Sequence, residues 1–96
     1  LLDAVEAAHR RPRLSRHALL RADDEDPSRL VAVLPERAVR LNAAGREILD
    51  LCDGARSADE IARTLAARHP EEPHVFEDVH AFLAEMTRLG VVATAE

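Results

Sequence analysis

Five histidines and one cysteine are the side chains through which this 96-residue chain could do acid–base, metal or nucleophilic chemistry. His69, His74 and His80 straddle Pro70 and Pro73 at spacings that do not match the i, i+4 pair of a zinc helix, so they read as loop or surface histidines. The run Asp23-Asp24-Glu25-Asp26 lacks both the alternating ligands and the glycine of a calcium loop and reads as a solvated turn. Cys52 has no His or Lys beside it to favour a thiolate, and on an apolar stripe it behaves as a small hydrophobe. No GxSxG, GxGxxG or carboxylate pair with a matching base occurs. The expectation is a chain with no metal, no cofactor and no catalysis of its own.

Composition narrows the partners. All 13 basic residues are Arg, which removes a phosphate-loop or Schiff-base lysine, and the 18 acidic residues bring the net charge to -5. An acidic chain has a poor grip on the phosphate backbone, and with Phe76 and Phe82 as its only aromatics it has no platform on which bases stack. No apolar run approaches the roughly 20 residues of a membrane span, no signal peptide is visible, and a single cysteine needs no oxidising compartment. A cytoplasmic protein with no nucleic acid or membrane partner is expected. Its core must come from Leu and Val, and its length fits one small domain.

The elements that would position a site follow from the spacing of these apolar residues. Leu1, Leu2, Val5 and Ala8 share a helical face, and Arg10-Arg11-Pro12-Arg13 reads as an exposed linker. Residues 1–13 are therefore expected to be the end of a helix plus a tether from an upstream domain, or a flexible N-terminus, with the folded unit at 14–96. Ala18 to Ala22 and Leu30 to Leu34 read as strands joined by the acidic turn, and Arg37-Ala38-Val39-Arg40-Leu41 alternates as a third, with Val39 and Leu41 on one face. Helical spacing then takes over. Asn42 is an N-cap and Gly54 a candidate left-handed cap; Ser57 and Glu60 form a capping box; a third helix opens near Pro73 and stops at Gly90. Gly45 inside the first helix costs about 1 kcal/mol relative to Ala, which points to close packing or tolerance. Val91-Val92 either adds a short strand or packs as a tail.

Three antiparallel strands followed by three helices make an α+β fold that resembles a winged helix with its wing placed first. DNA binding is the reading this likeness invites, yet the third helix carries Glu77, Asp78 and Glu85 against Arg88 alone. A peptide reader is the other reading: an extended peptide adds a strand to the Arg37 to Leu41 edge and lays its side chains against the third helix. That helix has Val75 and Phe76 besides Val79 and Leu83, which either widen it into a groove or close the top of the core.

The stretches Arg11-Pro12-Arg13-Leu14, Leu34-Pro35-Glu36, Val39-Arg40-Leu41-Asn42 and Ile48-Leu49-Asp50-Leu51-Cys52-Asp53-Gly54, followed by Glu60-Ile61 and Phe82-Leu83, resemble the PqqD family of pyrroloquinoline quinone (PQQ) biosynthesis. The resemblance runs over about residues 11 to 92 and departs in the first strand, Leu20-Arg21-Ala22-Asp23, where many members have an aromatic. It implies a recognition element for ribosomally made, modified peptides: a chaperone that binds the leader of the precursor PqqA and presents it to the radical SAM enzyme PqqE. Carried onto this sequence, the leader would meet Arg37, Ala38, Val39, Arg40 and Leu41 together with Val75, Phe76, Val79 and Leu83, while Asn42, Cys52, Asp53 and Gly54 would serve as cap, core and turn. Another modified peptide is the alternative cargo. Leu1 to His9 also resembles the end of PqqC, which implies a PqqC-PqqD fusion.

Overall fold

The computed structural model describes residues 9–95; the expectations for residues 1–8 lie outside them. Five strands and three helices are arranged as β1 (Arg11–Leu14), β2 (Leu19–Ala22), β3 (Leu30–Val33), β4 (Ala38–Leu41), α1 (Ala43–Asp50), α2 (Ala58–Arg68), α3 (Val75–Leu89) and β5 (Val92–Ala95). β2, β3 and β4 form the antiparallel sheet in that order, so β4 is an edge, and β1 pairs with β5 in a separate two-stranded sheet. None of the helices among the described residues is long and apolar enough to cross a membrane.

The β1–β5 sheet corrects the reading of Arg11 to Arg13 as linker. Pro12 is buried and Leu14 half-buried, while Arg11 and Arg13 are exposed, which is the alternation of a half-buried strand written with a proline and arginines. Pro12 has no N–H to lose from a ladder, and its carbonyl accepts from Gly54 N–H at 3.0 Å. Ala58 N–H donates to Arg10 C=O at 2.8 Å, and Arg13 bridges to Asp53. β1 is thus held by β5 and by the turn between α1 and α2. Of the two alternatives for Val91-Val92, the strand is the one adopted.

The caps follow the sequence closely. Asn42 Oδ1 accepts from Gly45 N–H at 2.7 Å, and Ser57 and Glu60 make the reciprocal capping box at 3.1 and 2.9 Å. α1, however, ends at Leu51 in right-handed conformation; Gly54 takes its positive φ of 79° three residues later, inside the turn. That turn is organised by Asp53, whose Oδ1 accepts from Ala55 and Arg56 N–H at 2.9 and 3.1 Å. These backbone donors, aided by the Arg56 guanidinium, hold the Asp53 carboxyl below the usual carboxylate range. A carboxyl depressed in the folded state adds stability above its unfolded pKa and loses it as pH falls through the folded one. Asp53→Asn keeps both acceptor contacts without the charge. Its melting temperature is therefore expected to fall less between pH 6 and pH 3 than that of the parent, and equal slopes would count against this.

α2 and α3 pack along their lengths. Ala58 and Ala62 on α2 keep the helices close, and Ile61, Leu65, Val79, Leu83 and Met86 fill the contact, with Val91 and Val92 closing its end. Two of the histidines serve this assembly. His80 Nε2 lies 2.8 Å from Asp59 Oδ1, joining α3 to the first turn of α2, and His69 Nε2 lies 2.8 Å from Glu47 Oε1, joining the end of α2 to α1. α3 stops at Gly90, in left-handed conformation at φ 85°, where nothing stands within 4 Å of a would-be Cβ. Gly90→Ala isolates the backbone cost alone: a loss of about 1 kcal/mol in urea unfolding is expected, and an unchanged midpoint would contradict it.

Candidate functional site

The edge strand owes its form to a two-residue turn. Leu34 N–H donates to Arg37 C=O at 2.8 Å around Pro35-Glu36, and the register continues as Val33↔Ala38, Ala32↔Val39, Val31↔Arg40 and Leu30↔Leu41. Antiparallel ladders alternate bonded with non-bonded pairs. With Leu34 and Arg37 a bonded pair, Ala32/Val39 and Leu30/Leu41 are bonded as well, and the backbone N–H and C=O of Ala38 and Arg40 point away from β3. Side chains alternate the other way: Leu41 is buried and Val39 half-buried against the core, whereas Ala38 and Arg40 are exposed. Arg40 reaches across the outer face to Asp23 and Glu25 at 3.7 and 3.8 Å. Asp23 and Asp26 cap their own turn by accepting from Glu25 and Ser28 N–H, and the acidic turn is solvated except at Asp23, which is buried beneath Arg40.

On α3, Val75, Phe82 and Leu89 are half-buried and spaced seven apart, so they lie nearly in line along the helix. Phe82 sits against the start of α1, because a Cβ on Gly45 would stand only 3.1 Å from its ring. Gly45 is therefore there for close packing. Leu89 and Gly90 line a cavity with Leu34, Pro35, Glu36 and Arg37, at the turn from which β4 starts. At the opposite end, Val75 and Val79 line a cavity of about 400 Å³ with Ala43, Ala44, Glu47, Ile48, Leu65, His69, Glu72 and Asp78. The α3 flank that follows β4 and its continuation into α1 is thus Leu89, Phe82 and Val75.

The residues expected in the groove are divided by this geometry. Ala38 and Arg40 present the open edge, Arg37 leaves the turn exposed, and Val75 keeps its place on the flank. Val79 and Leu83, at 2% and 6% exposure, belong to the core. Phe76 is tilted onto His80 with ring centroids 4.9 Å apart, and His80 in turn meets Asp59 of α2. Leu83 lines a different hollow, with Pro12, Ala58 and Thr94. Phe82 and Leu89 look like core residues in the sequence; their common heptad line with Val75 and the glycine opposite Phe82 are the signals that separate them.

Cys52 is buried, and loss of solvent together with the charge of Asp53 pushes its thiol up to about 12. Among the described residues no three His, Cys, Asp or Glu side chains gather as a metal would require.

Comparison with known proteins points to one family. The family model for Coenzyme PQQ synthesis protein D (PqqD) matches residues 26–92. A PqqA binding protein of Rhodopseudomonas palustris (strain HaA2) is 41% identical over 86 residues, covering 88% of this chain and 83% of that protein. Another, from Pseudomonas aeruginosa (strain UCBPP-PA14), is 45% identical over 53 residues, 55% of this chain and 58% of its own. Among solved structures, the PqqD truncation of Methylobacterium extorquens PqqCD, described as a functional, stand-alone RiPP recognition element, superposes with a TM-score of 0.66 at 29% identity, covering 85% of this chain and 87% of that one.

Proposed function

The chain belongs to the PqqD family, and from that premise we propose that it is the peptide chaperone of PQQ biosynthesis, binding the precursor PqqA as the relatives named PqqA binding protein do. The peptide adds as a fourth strand to β4, bonding the outward groups of Ala38 and Arg40, and rests its inward side chains on Phe82 and Leu89. It is then presented to the radical SAM enzyme PqqE in the cytoplasm. The observation that carries this reading is that β4, an edge unpaired among the described residues, starts at the turn where Leu89 sits and leads into the helix where Phe82 and Val75 sit.

The chemistry of modification belongs to the partner enzyme. A neutral buried Cys52 and an escort's apolar flank fit that division of labour. The winged-helix likeness gives no support to DNA binding, because α3 has Glu77 and Asp78 in its first turn and its one arginine, Arg88, is taken by Glu85 at 3.0 Å.

Titration of the 15N-labelled chain with PqqA tests the site. The Ala38 and Arg40 amides are expected to shift strongly and to gain protection from solvent exchange, with the Phe82 and Leu89 amides moving beside them. Unshifted amides over residues 37–41 at saturating peptide would place the site elsewhere; no binding at all would remove the function.

A further inference from the structure

The cavity at the Val75 end of the flank has a composition that the strand-addition site does not explain. Ala43 and Ala44, the first residues after β4 and its cap, are exposed and line it, so it lies next to the Leu41 end of the edge strand. Its floor is apolar: Ile48 from α1, Leu65 from α2, Val75 and Val79 from α3. Its rim carries three carboxylates, Glu47, Glu72 and Asp78, and no arginine.

These carboxylates are not equivalent. Glu47 is engaged by His69 at 2.8 Å and by Arg68 at 3.5 Å, and the His69 hydrogen bond holds it ionised below the usual carboxylate range. Glu72 and Asp78 are exposed and make no ion pair among the described residues. An apolar slot of about 400 Å³ ending at two unneutralised carboxylates suits one kind of side chain: a methylene stem with a cation at its tip. A purely aliphatic or aromatic guest would fill the floor and leave the rim charges uncompensated, and an acidic guest would be repelled.

We propose that this cavity is the seat of a Lys or Arg side chain of the bound peptide, its stem on Ile48, Leu65 and Val75 and its cation between Glu72 and Asp78. The proposal rests on the peptide-binding reading above and deepens it, since the edge bonds any extended backbone whereas this slot selects a sequence. Strand addition supplies most of the affinity; the slot sets which segment of the peptide sits at the Leu41 end.

Calorimetric titration of the full chain with three forms of the PqqA leader tests it: the natural peptide, one with its Lys and Arg residues replaced by Leu, and one with them replaced by Glu. In 50 mM salt the natural form is expected to bind about fivefold more tightly than the Leu form and more tightly still than the Glu form, as two solvent-facing ion pairs allow. That preference should shrink in 0.5 M salt. In the variant Glu72→Gln/Asp78→Asn it should fall below twofold, while the Leu form binds variant and parent alike. A Glu72→Lys variant that regains affinity for the Glu form would confirm the contact. Equal or tighter binding of the Leu form by the parent, or a preference that survives in the double variant, would overturn the slot and leave the edge site standing. If no form binds the parent, the peptide-binding reading falls and the slot with it.

Discussion

Replacing Arg40 by proline is expected to weaken PqqA binding at least tenfold while the domain stays folded. The N–H of Arg40 faces away from β3, so proline at this position removes a donor that the resident sheet does not use and puts a ring where the incoming strand must approach. An added strand draws its affinity from such bonds, each net worth about 1 kcal/mol, and from the close approach that the ring prevents. Arg40→Ala separates backbone from side chain: it removes the contacts to Asp23 and Glu25 but keeps the N–H, and should bind within about threefold of the parent. Val39→Pro supplies the opposite control, because the Val39 N–H is inside the ladder and its loss should cost stability. Thermal melts and titration calorimetry on the three variants decide the matter. Arg40→Pro that melts like the parent and binds like it would show that the peptide does not pair with β4.

Val79→Asp is expected to abolish cooperative folding. Val79 is 2% exposed between α2 and α3, with Leu65 and Leu83 in the same core. A carboxylate there must either be buried without a partner or protonate, at a cost of several kcal/mol, against roughly 5 to 10 kcal/mol holding a domain of this size together. Loss of binding in this variant would therefore report the fold and not the groove. Val79→Ala makes the comparison informative: it should lower stability by about 2 kcal/mol and leave affinity within a few-fold. Circular dichroism melts measure both, and a well-folded Val79→Asp would put Val79 on the surface.

How far the sequence leads to this arrangement depends on what each element needs. β2, β3 and β4, the Asn42 cap, the Ser57–Glu60 box and the Gly90 stop are legible because each is a local pattern: alternation, a side chain with a backbone donor three residues on, a glycine at positive φ. β1 is not. Its partners, β5 and the Asp53–Gly54 turn, are far away in sequence, and Arg-Pro-Arg-Leu carries its alternation in residues that usually mark a break. Half of the candidate site is legible for the same reason. The edge follows from strand order in a simple meander, whereas the wall depends on which stripe of α3 the other two helices cover. Because α2 takes Val79 and Leu83, and Phe76 turns to His80, the line left over is Val75, Phe82 and Leu89, which runs from α1 to the turn before β4. Periodicity gives the stripes but not their ownership.

The pairing of Arg11 with Ala95 puts the two ends of the described chain on neighbouring strands, about 5 Å apart. Tension applied between those ends would not shear the domain. It would peel β1 away one rung at a time, like a zip, its bonds to β5 parting together with those from Arg10 and Pro12 to Ala58 and Gly54, and β2, β3 and β4 would carry none of the load until β1 had come free. Pulling on those ends would thus leave the β4 edge, in another sheet, undisturbed until then.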